Sequence, residues 1–262
     1  NKTTMAVTKT ARTHTGISTY AGTWGRDEVI HLLNRVHFGA KLEDVEYFSK
    51  KTLSQTIDEI LDVDYTPPSP PINDYNGRIV DPLIPAGSTW VDDYNATLNG
   101  QRRNSFKRWW VGQMINQDRT IREKMVLFWH NHFATEMQVY SWANFAYKHN
   151  AMLRKDCLKD FRTLVKDVTL DPAMLIYLNG ERNTNTAPDE NYSRELQELF
   201  TLGKGPESKY TEADVIEAAK ILTGWRINKR NGEVFFVPNR HDTSDKTFSA
   251  FYGHTVVYGK TG

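Results

Sequence analysis

The chain contains one cysteine in 262 residues. Cys157 alone can build neither an intramolecular disulfide nor a cysteine-based zinc site. Nothing beside it suggests an activated nucleophile. Asp156, Lys159 and Asp160 read as charged surface at a helix junction. An excess of charge of either sign is also lacking: 33 Lys and Arg stand against 32 Asp and Glu. No global field therefore points to nucleic acid or to a membrane surface. The basic stretch Gln101-Arg102-Arg103 with Lys107-Arg108 adjoins Trp109 and Trp110 and reads as the rim of a helix whose indoles point inward. No nucleic-acid partner is expected. Every apolar run falls far short of the ~20 residues that a spanning helix needs, so no transmembrane segment is expected. There is no glycine-rich phosphate loop, no nucleophile-elbow serine and no dinucleotide fingerprint, which removes most support from those reaction classes. No fixed-period repeat occurs.

What is present is mainly α-helical patterning. Residues 1–23, rich in Thr, Ser, Gly and Ala, read as an extended N-terminal arm. No signal peptide is visible there; a chain matured by signal removal would look like this, and so would a trimmed one. Residues 24–63 hold three short helices, the third opened by Thr52 with Gln55 as its capping-box partner. Residues 64–99 carry six prolines, which forbid a continuous helix or central strand. This segment is expected to be a long structured loop or a linker, and it is the place for any domain boundary.

Residues 100–225 form the expected helical core. Thr120 with Glu123 predicts a capping box for a helix running to Phe133, apolar on most faces and so central. Asp171-Pro172 predicts a helix start. A helix is expected over Glu190–Leu202, and Thr211 with Asp214 opens another. Residues 226–262 change character: the runs around Asn231-Gly232 predict a β-hairpin near 226–237, in a region expected to continue past the chain end.

Three segments together carry a resemblance. Arg122-Glu123-Lys124-Met125 runs into Phe128-Trp129-His130-Asn131-His132-Phe133. Glu190-Asn191-Tyr192-Ser193-Arg194-Glu195-Leu196 runs into Glu198-Leu199-Phe200-Thr201-Leu202-Gly203. Ala218-Ala219-Lys220 leads through Leu222-Thr223-Gly224-Trp225 to Arg240-His241-Asp242. With Leu32-Leu33-Asn34-Arg35 as an opening, the chain resembles domain-of-unknown-function family 1800, a bacterial family. The resemblance implies a mainly helical, often exported protein with a further helical portion, and a His where this chain has Phe200. It implies no reaction.

The candidate site residues lie in these segments. His130 and His132 are candidate metal ligands, since imidazole suits several divalent ions. Two residues apart on a helix, however, they point about 200° apart. On the helix over Glu190–Leu202, regular geometry gathers Asn191, Glu195 and Glu198 into a sector of roughly 60°. Glu195 and Glu198 could bind a cation or hold a proton, and Arg194 could orient an anionic substrate. His241 could act as a base steered by Asp242, or as a further ligand. Each has a plainer reading, as buried histidines satisfied by hydrogen bonds, a solvated helix face, and polar loop residues.

Two functions stay open. One is an exported, metal-dependent hydrolase or other acid/base enzyme, with a divalent metal ion drawn to His130 or His132, Glu195, Glu198 and His241. The other is a non-catalytic subunit or surface component of an extracytoplasmic assembly. There the arm, the proline-rich segment and the aromatic residues Trp24, Trp90 and Tyr94 dock a protein partner.

Overall fold

The computed structural model describes residues 19–77, 79–205 and 207–259. Most of the expected N-terminal arm and the last three residues lie outside these. The fold is mainly α, with two small antiparallel two-stranded sheets near its C-terminal end. Among the described residues no helix is long and apolar enough to cross a membrane.

Helices α1 (Arg26–Val36), α2 (Leu42–Phe48) and α3 (Leu53–Leu61) pack around Val29, Leu33, Val45, Phe48 and Ile60. The Thr52–Gln55 capping box forms as predicted. Arg119 clamps Asp44 at 2.8 Å, and the Ile121 amide donates to the Ile60 carbonyl at 3.0 Å, which ties this layer to the core.

The core helices are α4 (Asn99–Ile115), α5 (Arg122–His132), the single turn α6 (Met137–Tyr140), α7 (Ala143–Asp156), α8 (Phe161–Thr169) and α9 (Pro172–Tyr177). The helix expected to be central, α5, fully buries only Glu123 and Val126 and leaves Phe128 54% exposed. The central helix is α7, packed against α4, α5, α8 and α9. It buries Asn144, His149, Asn150, Arg154 and Asp156 along with its apolar residues. Polar side chains can occupy a core when long-range partners satisfy them, which apolar periodicity cannot reveal. Asn144, for example, donates to the carbonyls of Trp90, Val91 and Asp93.

Those three residues belong to the proline-rich segment, which is a structured loop seated on α4 and α7. Trp90 is fully buried, its indole N–H donating to Ser105 at 3.1 Å. This corrects its expected role as an exposed docking residue. Arg102, placed on a basic rim by the sequence, is likewise buried, and Arg108 pairs with Asp74 at 2.6 Å.

A second correction concerns α5. Thr120 and Glu123 form no capping box. Instead, Asp118 accepts from Thr120, while Glu123 turns inward to Arg154. Beyond α9, the helix expected over Glu190–Leu202 divides into α10 (Asn191–Glu195) and a π-helical stretch, Leu196–Thr201. Helix α11 (Glu212–Ile221) has the predicted Thr211–Asp214 capping box. The hairpin pairs β1 (Trp225–Asn228) with β2 (Glu233–Phe236), and its loop ends at Gly232 with φ +64°. A shorter pair, β3 (Lys246–Thr247) and β4 (Val256–Val257), follows.

Candidate functional site

The spacing argument for the paired histidines holds. His130 and His132 lie on one unbroken helix and serve different neighbourhoods. The Nε2–H of His132 donates to the Phe200 carbonyl at 2.9 Å, and its ring packs among Trp129, Phe133, Phe161 and Phe200. A carbonyl can only accept, so that nitrogen carries a proton and is not free for a metal.

His130 faces the other way. Its ring centroid lies 4.7 Å from Trp110 and 5.7 Å from His149. His149 is 1% exposed, and its Nδ1 is 3.0 Å from Oδ1 of the equally buried Asp171. The same Asp171 oxygen caps α9 by accepting from the Met174 amide at 2.9 Å. The His149 Nε2 and the Trp110 indole N–H are both buried with no hydrogen-bond partner. Asp171, His149, His130 and Trp110 are thus successive neighbours, of which His149 and Asp171 are buried and His130 is half-buried. A neutral His149 bonded to the Asp171 carboxylate through Nδ1–H would present Nε2 as a lone-pair acceptor.

Burial, with a smaller contribution from His149, pulls the pKa of His130 down to about 4. The unfolded chain therefore binds a proton at this position between about pH 6.5 and pH 4 that the folded chain does not. Stability from His130 is complete above the unfolded value and is lost as pH falls through that window. We expect the urea midpoint to drop from pH 7 to pH 4.5, and His130→Gln to flatten part of that slope, by at most roughly 3 kcal/mol. An unchanged slope in the variant would place the acid sensitivity elsewhere.

The other candidates are spread over separate contacts. Arg194 is held by Glu190 at 2.9 Å and by Glu212 at 2.7 Å, which leaves it no free fork for a substrate anion. Glu198 is ion-paired with Lys204, and one buried carboxylate oxygen of Glu195 has no partner. Glu195 is the last residue of α10, and Glu198 lies within the π-helical stretch. Its i→i+5 bonding, seen from the Leu202 amide to the Gln197 carbonyl at 2.9 Å, widens the turn and departs from the regular angular spacing assumed for an α-helix.

His241 is not steered by Asp242. Its Nδ1 lies 3.0 Å from the Thr223 carbonyl and 3.2 Å from the Thr223 hydroxyl. Asp242 accepts from the Ser244 amide at 2.8 Å and stands 3.3 Å from the buried Lys246. Burial alone would raise the pKa of Asp242; the Ser244 and Lys246 contacts outweigh it and lower it. This loop motif is a structural clasp around Thr223. Among the described residues, no three His, Cys, Asp or Glu side chains stand where they could share a metal ion.

Cys157 also differs from its expected surface setting. It is buried in the core, and Asp156 is wholly buried beside it. Burial pushes the thiol up to about 11. At about pH 8 only on the order of one thiol in a thousand is thiolate. A thiol-specific reagent should leave the native chain nearly unlabelled and label one cysteine fully in denaturant; fast native labelling would contradict this packing.

The sequence reading missed His149 and Asp171. Asp171-Pro172 announced a helix cap, and capping hides a second role for the same carboxylate. His149 sat on a helix with no neighbouring motif, so no local signal marked it.

The family model described as "Protein of unknown function (DUF1800)" matches residues 31–260. The chain belongs to that family. No curated protein and no solved structure matches it. The match spans His130, His149 and Asp171 as well as Glu195, Glu198 and His241, so DUF1800 membership favours none of them over the others.

Proposed function

We propose that this DUF1800 protein is an extracytoplasmic acid/base enzyme of hydrolytic type, with His149 as its base. The observation that carries the reading is the unpartnered Nε2 of His149, backed by Asp171 at 3.0 Å and faced by the His130 ring. Neutral His149 would take a proton from an attacking water or hydroxyl, and Asp171 would stabilise the imidazolium that results. The Trp110 N–H, beside His130, would donate to charge developing on the substrate. His130, the half-buried neighbour of His149, would pass protons between His149 and solvent. The step rests on His149 and Asp171 alone; His130 and His132 serve separate neighbours, and Glu198 is ion-paired with Lys204.

The test combines a fluorogenic panel of esters, phosphoesters, glycosides and amides with imidazole NMR. His149 should be observed as the Nδ1–H tautomer, and Asp171→Asn should disturb that tautomer. Any activity found should fall by about 10²–10⁴-fold in His149→Gln and in Asp171→Asn, with the fold intact. Activity that survives both substitutions would sink the proposal, as would an Nε2–H tautomer in the native chain.

A second reading, the non-catalytic component of an extracytoplasmic assembly, is favoured by one observation. Phe235, Phe236, Phe251, Val256, Val257 and Tyr258 are all exposed within one short stretch of chain. Under this reading the wild type associates in solution, and Phe235→Ser with Tyr258→Ser abolishes association while His149→Gln leaves it unchanged. Light scattering after size exclusion distinguishes the two.

A further inference from the structure

Arg103 and Lys107 stand four residues apart on α4, where like charges oppose one another. Their neighbours Arg102 and Arg108 are committed to Asp81 and Asp93 and to Asp74. No ion pair or hydrogen bond holds Arg103 or Lys107 among the described residues. Both side chains line a hollow of about 610 Å³ between α4 and α6, and its lining contains no carboxylate. Two uncompensated cations facing one acid-free hollow form a binding locus for an anion.

The rest of the lining narrows the ligand. Gln101, Asn104 and Gln138 present carboxamides, each able to donate and to accept. Ser141, which ends α6 in a left-handed cap with φ +61°, closes the rim. A second hollow of about 540 Å³ shares Gln101 and Asn104 with the first and is bounded by Tyr75 and the Arg108–Asp74 pair. That second hollow also carries Asp74 and Ile79, so the anion locus is the first hollow alone. No aromatic face lines the cationic hollow, which argues against stacked nucleobases. Its single large apolar lining residue, Met137, argues against an acyl chain. Carboxamides interleaved with cations match alternating hydroxyl and acid groups.

We propose that this groove binds an acidic oligosaccharide, its carboxylates held by Arg103 and Lys107 and its ring hydroxyls by Gln101, Asn104 and Gln138. The site is independent of the His149 relay, and its test does not depend on activity.

Calorimetric titration of the full chain with tetragalacturonate provides the test, with maltotetraose and inorganic phosphate as separate arms. Tetragalacturonate should bind, and Arg103→Gln with Lys107→Gln should weaken it by at least about tenfold, equivalent to 1.4 kcal/mol. Gln101→Ala with Asn104→Ala should weaken it also, while leaving its salt dependence unchanged. Both pairs are surface changes, and circular dichroism verifies their folding. Absence of tetragalacturonate binding, or equal binding by the cation-deleted variant, would overturn the site. Phosphate binding as tight as the oligosaccharide would overturn the saccharide assignment, as would equally tight maltotetraose.

Discussion

Arg102→Ala is expected to destabilise the protein by about 3–5 kcal/mol, because it strands buried carboxylate charge. The guanidinium is 1% exposed and is the hub on which the proline-rich loop closes. It reaches Asp93 at 2.6 Å and Asp81 at 3.2 Å, and donates to the carbonyls of Asp93 and Asn95. Asp81 is itself wholly enclosed. Burial opposes its ionisation, yet the Leu83 and Ile84 amides, the Tyr75 hydroxyl and Arg102 together hold its pKa below the usual carboxylate range. A depressed carboxylate stabilises the fold above its unfolded pKa and loses that contribution as pH falls through the folded value. Loss of Arg102 should therefore lower the urea midpoint at neutral pH and weaken the acid dependence due to Asp81. Limited proteolysis should show the first cuts within residues 64–99. A loss below about 1 kcal/mol would mean that Trp90 and the backbone contacts to Asn144 seat the loop without the charge hub.

Glu123→Ala should cost a similar amount, about 3–5 kcal/mol, by a different route. Here the stranded charge is a cation on the central helix. Arg154 makes a two-pronged contact with Glu123, at 2.9 and 2.8 Å, donates to Asn150 and lies over the Trp109 ring at 5.1 Å. Glu123 is 1% exposed and Arg154 is 4% exposed, so neither charge can turn to water. The revealing variant is the pair Glu123→Leu with Arg154→Met. If the penalty comes from an uncompensated buried charge, the double variant should recover most of the stability that either single change loses. Urea denaturation of the four members of this cycle measures the coupling. Additive losses would show that the two side chains act independently, through packing alone.

The two ion pairs and the His149–Asp171 pair share a property that explains their invisibility in the sequence. Each joins residues far apart in the chain: Asp81 with Arg102, Glu123 with Arg154, His149 with Asp171. Sequence patterns report partners within about one helical turn. Where a partner lies that close, the reading succeeded. Thr52 with Gln55, Thr211 with Asp214, and Asp171 before Pro172 all cap the helices they announced. The same logic failed at Thr120, where a distant arginine competed for the carboxylate and won. It also missed the π-helical stretch after Glu195, because such a stretch has no compositional signature that separates it from an α-helix.

The sequence by itself therefore determined the class of fold, the sites of most helices, the C-terminal hairpin and the family, because capping, turn chemistry and ordered motifs are local and survive without a partner. Only the tertiary structure decided which polar residues became core, that α7 rather than α5 is central, and which histidine has a carboxylate behind it. A buried polar side chain is stable only where the folded chain brings it a specific partner, and that pairing depends on the whole path of the backbone.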